Sequence, residues 1–133
     1  MPTMKVEVVS AERSLLSVEA TEVYARTLEG EIGILPGHQP ALLALDIGAV
    51  RVKLESGEEE QVAVHHGFLY FRHNELVVLA DVAEVASQID EQRAERRLRD
   101  LESRHADEED AAVHAAAIRR QQVRLSVVRS SIG

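Results

Sequence analysis

Cysteine is absent from the 133 residues, and so is tryptophan. The first absence excludes a disulfide framework, a thiol nucleophile and any thiolate metal site. Aromatic residues make up only 3% of the chain: Tyr24, Phe68, Tyr70 and Phe71. That scarcity argues against the base-stacking platforms of single-stranded nucleic-acid binding. Cations are outnumbered, 15 Lys and Arg against 23 Asp and Glu, for a net charge of −8. Such a balance disfavours nucleic acid and anionic lipid as partners. Long apolar runs are also missing; Leu76 to Ala80 is among the longest and is far too short to span a bilayer. Residues 1–20 lack a cationic start followed by an apolar stretch, so a soluble cytoplasmic protein is expected. There is no P-loop, G-x-S-x-G, G-x-G-x-x-G or H-E-x-x-H motif, and no carboxylate pair stands out for acid/base work. An enzyme is therefore not expected.

Hydrophobic residues make up 45% of the chain, enough for a globular core, and the length suits one domain with an appendage. Composition changes near residue 86. All three Pro and every Gly except Gly133 lie before it. That first part alternates with period two: Val6 and Val8, then Val50, Val52 and Leu54, then Val62 and Val64, each separated by other residues. Such runs are half-buried strands. Ser56-Gly57 and His73-Asn74 read as hairpin turns. The continuous run Leu76–Ala80 reads as a strand buried on both sides, and the clustered aromatics as core. About ten short strands over residues 1–86 predict a sandwich or flattened barrel.

Residues 87–133 carry a helical pattern instead. Ser87-x-x-Asp90 resembles a capping box. Ala94, Leu98 and Leu101 follow at helical spacing, with Glu95–Arg99 and Asp100–Arg104 as i,i+4 pairs. The acidic run at His105–Asp110 predicts a turn. A second helix is expected from about Ala111 to Arg129, with Ala112, Ala116, Val123 and Val127 along one face. The prediction is an α+β chain: an all-β sandwich followed by an antiparallel two-helix hairpin. The hairpin is electrically divided. Residues 87–110 hold nine acids and five Arg; residues 111–133 hold four Arg and no acid. Complementary charge supports antiparallel docking, while the thin, Ala-rich stripe predicts weak seating.

Six histidines raise the question of a metal. His65 and His66 are adjacent, so on one strand they point to opposite faces and cannot both ligate from it. No metal site is expected. The unusual stretch is Gly30-Glu31-Ile32-Gly33-Ile34-Leu35-Pro36-Gly37-His38-Gln39-Pro40. It reads as a rigid, tightly turned loop, either a sandwich corner or an interaction surface.

This stretch resembles the signature G-E-[IL]-G-[IL]-x-P-G-H-x-P of the epsilon subunit of the F-type ATP synthase. Val8–Glu12, Gly48–Val52 and Leu76–Asp81 are similar to further segments of that family, so the likeness covers nearly the whole chain. His66 departs from it, standing where many members carry a glycine before Gly67-Phe68. The resemblance implies a ten-stranded sandwich, a C-terminal helical hairpin and a non-catalytic central-stalk role. That role couples the membrane rotor ring to the catalytic head, with the hairpin able to restrain ATP hydrolysis. It places the chain peripherally on the cytoplasmic face of the bacterial membrane. Its implied partners are the gamma subunit, the rotor ring and the catalytic alpha and beta subunits. Glu31 is implied to face the ring and His38 the gamma subunit, while Arg119 and Arg129 join the arginines of the second helix that meet the head. Some members bind ATP between sandwich and helices with a motif similar to [IL]-D-x-x-R-A-K. Ile89-Asp90-Glu91-Gln92-Arg93-Ala94-Glu95 matches it except at Glu95, where Lys is expected. The resemblance thereby implies Glu84, Asp90, Arg93, Arg120 and Arg124 as ligands of a regulatory ATP. On the helix itself, Asp90, Arg93 and Arg97 share a face, and Arg120 and Arg124 lie one turn apart. Two other classes stay open from the residues: a cupin-like metal-binding barrel and a free nucleotide-sensing module.

Overall fold

The structure is a computed structural model and describes the backbone of residues 2–132, with side chains through Ser130. Seven strands come first: β1 (Met4–Ser10), β2 (Ser14–Thr27), β3 (Gly30–Ile34), β4 (Ala41–Leu45), β5 (Gly48–Leu54), β6 (Glu59–Arg72) and β7 (Glu75–Val85). Two helices follow, α1 (Glu91–Ser103) and α2 (Ala111–Ile132). Ten short strands were expected, and the difference has a plain cause. β2, β6 and β7 are long, and each serves both layers of the sandwich. The first half of β2 pairs with β1, its second half with β3 and β5. The first half of β6 pairs with β5, its second half with β4, and β7 follows β6 through both. β1 closes the first layer against β7 in a parallel pairing.

The alternating valines form the core as the period-two pattern dictates: Val6, Val8, Val50, Val52, Val62, Val64 and Val78 are buried, around Phe71 and Leu69. Every member of this core cluster lies before residue 86. The turns are also as read. His73 and Asn74 both have positive φ, the geometry of a tight two-residue hairpin, and Gly57 has φ +94°.

Two expectations about burial are corrected. Leu76 to Ala80 is buried on one face only, since Leu79 is 52% exposed. Of the aromatic cluster only Phe71 enters the core; Phe68 and Tyr70 face outward. Leu42 sits opposite Tyr70, and Phe68 opposite Leu79. The sandwich thus presents an open apolar face across β4, β6 and β7. The long aliphatic run looked two-sided because its outer side chains are as apolar as its inner ones.

The hairpin forms layers on the sandwich. α2 packs on β5, β6 and β7, and α1 packs on α2. Ala94 and Leu101 of α1 are buried and Leu98 is half-buried, as the spacing predicts. On α2 the buried residues among those described are Gln121, Leu125, Val127 and Val128; of the expected face Val127 is buried, Ala116 and Val123 are half-buried, and Ala112 is exposed. The stripe shifts because α2 is covered on two sides, by sheet and by α1. Ser87 does not cap α1. Residues Ala86–Gln88 form a short 3-10 turn, and Asp90 takes the cap, its carboxylate accepting from the Arg93 N–H at 3.0 Å.

Candidate functional site

Beneath the hairpin lies a cavity of about 790 Å³ between the end of β7, α1 and α2. Its walls are built by helical spacing. Asp90 caps α1, Arg93 and Arg97 follow on one face, and Arg120 and Arg124 face them from α2. Glu84 enters from β7, and Ile89, Ala94 and Ala117 supply apolar wall. All five residues implied for a nucleotide therefore share one cavity, together with Arg97.

The charges are unevenly satisfied. Arg124 Nε donates to Glu84 Oε1 at 2.7 Å. His65 Nε2 lies 2.9 Å from the same oxygen. The hydrogen bond to His65, and after it Arg124, hold the Glu84 carboxyl below the ordinary carboxylate range, against the opposing effect of burial. Arg93, Arg97 and Arg120 have no ion-pair partner among the described residues. Three free guanidinium groups around a partly enclosed space suit a polyanion, because each fork can hold two oxygens.

Glu95, which stands in the place of an expected lysine, does not line this cavity. Arg129 takes its carboxylate at 2.5 Å and that of Glu91 at 3.4 Å, which replaces the expected Glu95–Arg99 pair. The Asp100–Arg104 pair forms as read. Arg119 reaches Asp46, in the turn before β5, at 3.6 Å. Three of the four α2 arginines are thus spent on the chain's own carboxylates. Sequence reading missed His65, Asp46 and Gln121. The only available signal was that His65 alternates with the core residues Val62 and Val64, and so points away from the core.

The Gly30–Pro40 stretch is less of a loop than expected, since Gly30–Ile34 is strand β3. Its expected apolar corner is also reduced: Ile34 is buried, Ile32 half-buried, and only Leu35 open at 50%. Glu31 is exposed and pairs with Arg51. His38 packs its ring edge-on against Phe71 at 5.8 Å. Asn74 Oδ1 accepts from the Gly37 N–H at 2.7 Å and pins the turn. Glu31 and His38 do not join the cavity. Where glycine is expected, His66 has φ +67°, a conformation that glycine adopts without strain. Among the described residues no three His, Asp or Glu side chains come together to hold a metal.

Residues 3–86 match the family described as ATP synthase, Delta/Epsilon chain, beta-sandwich domain. An ATP synthase epsilon chain of Streptomyces avermitilis is 46% identical over 125 residues, covering 94% of both chains. The chain belongs to the ATP synthase epsilon chain family. Epsilon chains of Dehalococcoides mccartyi and Bacillus velezensis are 41% and 37% identical, over 96% of this chain and 93% and 98% of theirs. A chain in the structure of the Euglena gracilis mitochondrial ATP synthase, described as OSCP/F1/c-ring, superposes with a TM-score of 0.78 at 19% identity. It covers all of this chain and 84% of that one. This likeness concerns the fold. No helix among the described residues of this epsilon chain is long and apolar enough to cross a membrane.

Proposed function

We propose that this epsilon chain is a non-catalytic central-stalk subunit of a bacterial F-type ATP synthase, peripheral on the cytoplasmic side of the membrane. In this reading the sandwich links the gamma subunit to the membrane rotor ring. The hairpin, when raised toward the catalytic alpha and beta subunits, restrains ATP hydrolysis. The observation that carries the stalk role is the open apolar face of Leu42, Phe68, Tyr70 and Leu79. An apolar patch of this kind marks a docking surface. We place the gamma subunit there, with His38 at the adjoining contact and Glu31 toward the membrane rotor ring. Charging the centre of that face with Phe68→Glu and Leu79→Glu will leave the isolated chain folded, because both side chains already face water. Pull-down followed by mass spectrometry will then recover less than about a tenth of the synthase subunits that the unaltered chain retains, since two buried unpaired charges cost more than a factor of ten in affinity. Equal recovery would remove this face from the stalk contact.

The same reading makes ATP a regulatory ligand of the cavity. Arg93, Arg97 and Arg120 would hold the phosphates, while Glu84 and Asp90 are placed to accept hydrogen bonds from ribose or adenine. The Glu95 carboxylate, held aside by Arg129, does not oppose the phosphates from the cavity wall. Calorimetric titration of the full chain with ATP is expected to give a saturable heat, weakened at least about tenfold in the Arg93→Ala/Arg120→Ala double variant. No heat at millimolar ATP, or equal binding by the variant, would rule the site out.

A further inference from the structure

His65 is the one buried histidine of the chain among the described residues, only 4% exposed, and the proposed function gives it no role. It projects from β6 on the face opposite the core, beside the equally buried Ala63, where α2 packs on the sheet. Its Nε2 lies 2.9 Å from Glu84 Oε1. Its Nδ1 is buried with no hydrogen-bond partner. A carboxylate can only accept, so the neutral ring carries its proton on Nε2 and leaves Nδ1 as a bare lone pair. We propose that His65 is the positioning residue of the Glu84–Arg124 contact and makes seating of the hairpin depend on protons: the neutral ring fits the seated state, and protonation at Nδ1 unseats α2.

The sign follows from what docking adds. His65 and Glu84 are both on the sandwich, on paired strands β6 and β7, so their attraction exists whether or not the hairpin is seated. Docking contributes two other things. It covers the ring, and a new N–H at Nδ1 would be buried without an acceptor. It also brings the Arg124 guanidinium, a second cation, onto the same Glu84 oxygen that the ring's Nε2–H meets, where it repels a charged imidazole. Both disfavour the charged ring when α2 is down. Protons therefore bind better to the raised state, and by linkage acid shifts the chain toward it. The charged groups on the elements around this seat are Glu84 from β7, Arg124 and Arg120 from α2, and Asp46 from the turn before β5, the last already paired with Arg26 and Arg119. Glu84, held below the ordinary carboxylate range, stays ionised above pH 5.5 and does not supply the effect. Histidine is the side chain that changes charge between about pH 5 and 8.

The cysteine-free chain makes the test direct. The full chain carrying Ser56→Cys on the sandwich and Ser126→Cys on α2 takes a fluorescent donor and acceptor. Energy transfer is followed from pH 8.0 to 5.5, at a salt concentration that leaves both forms populated. The expected result is a fall of at least tenfold in the seated-to-raised ratio on acidification. In His65→Gln, whose amide still donates to Glu84 but does not titrate, the ratio should stay seated and change less than twofold. A His65→Ala variant, which lacks the donor, should be raised at every pH. A flat profile in the unaltered chain, or an undiminished pH response in His65→Gln, would overturn the proposal. A purely structural role for His65 would move the ratio without changing its pH profile.

Discussion

Removing residues 87–133 will raise ATP hydrolysis by the assembled synthase several-fold while leaving the truncated chain bound in the stalk. The sandwich survives the cut because its core cluster draws no residue from the hairpin. The apolar face of Leu42, Phe68 and Leu79 is likewise built from β4, β6 and β7 alone. What is lost is a helix with four arginines and no acid. In the seated state Arg119, Arg124 and Arg129 are held by Asp46, Glu84 and the Glu91–Glu95 pair. In the proposed raised state the same guanidinium groups would meet carboxylates of the catalytic head, so the two states would compete for one set of cations. Ion pairs at contact lie well inside the screening length of about 8 Å, which lets several act together at physiological salt. Each alone contributes at most about 1 kcal/mol when exposed, so the brake rests on their number and not on one pair. Steady-state hydrolysis by complexes with full-length and truncated chains measures it. An unchanged rate would remove the brake from the hairpin.

Gly67→Ala will destabilise the sandwich more than any other exchange of glycine for alanine before residue 86. Gly67 has φ +139°, a conformation that side chains rarely adopt. A Cβ there would stand 2.2 Å from the Leu79 carbonyl oxygen and 2.7 Å from Ala80 Cα. Both are backbone atoms of β7, so no side-chain rotation relieves the clash. Gly30, Gly37 and Gly57 also have positive φ, yet a Cβ on each meets nothing within 4 Å. Strain and overpacking together set the cost at about 3–5 kcal/mol. The corresponding drop in Tm is roughly 10–20 °C. Thermal unfolding followed by circular dichroism checks it, and a drop below about 3 °C would show that β7 yields freely.

Legibility differed by element. The core was readable because Val6, Val8, Val50, Val52, Val62 and Val64 obey a period that only a half-buried strand explains. The hairpin was readable because glycine and proline stop where helical spacing starts. Strand number was not, since alternation breaks at a bend even when the strand continues, as it does through His66 and Gly67 in β6. The outward Phe68, Tyr70 and Leu79 were misread because apolar side chains on an exposed face look the same as core in one dimension. Motif resemblance named five residues that the fold brings to one cavity. It was silent on His65 and Asp46, whose roles arise only when α2 covers the sheet. Nor could it show that Glu95 turns away to Arg129, a contact 34 residues distant in sequence.

The hairpin is tethered to the sandwich by β7, and that strand is clasped on both sides. β6 runs antiparallel to it from Val62–Val85 to Arg72–Glu75, and β1 runs parallel to it from Lys5–Glu75 to Ser10–Ala80. A pull on the hairpin directed along β7 therefore loads both ladders in shear. Every hydrogen bond resists at once, whereas a pull across the sheet would peel them one at a time. In the proposed stalk role, a subunit turning under load would need an anchor of this kind. Force that lifts the helices from their seat leaves the strand that carries them in place until the sandwich itself fails.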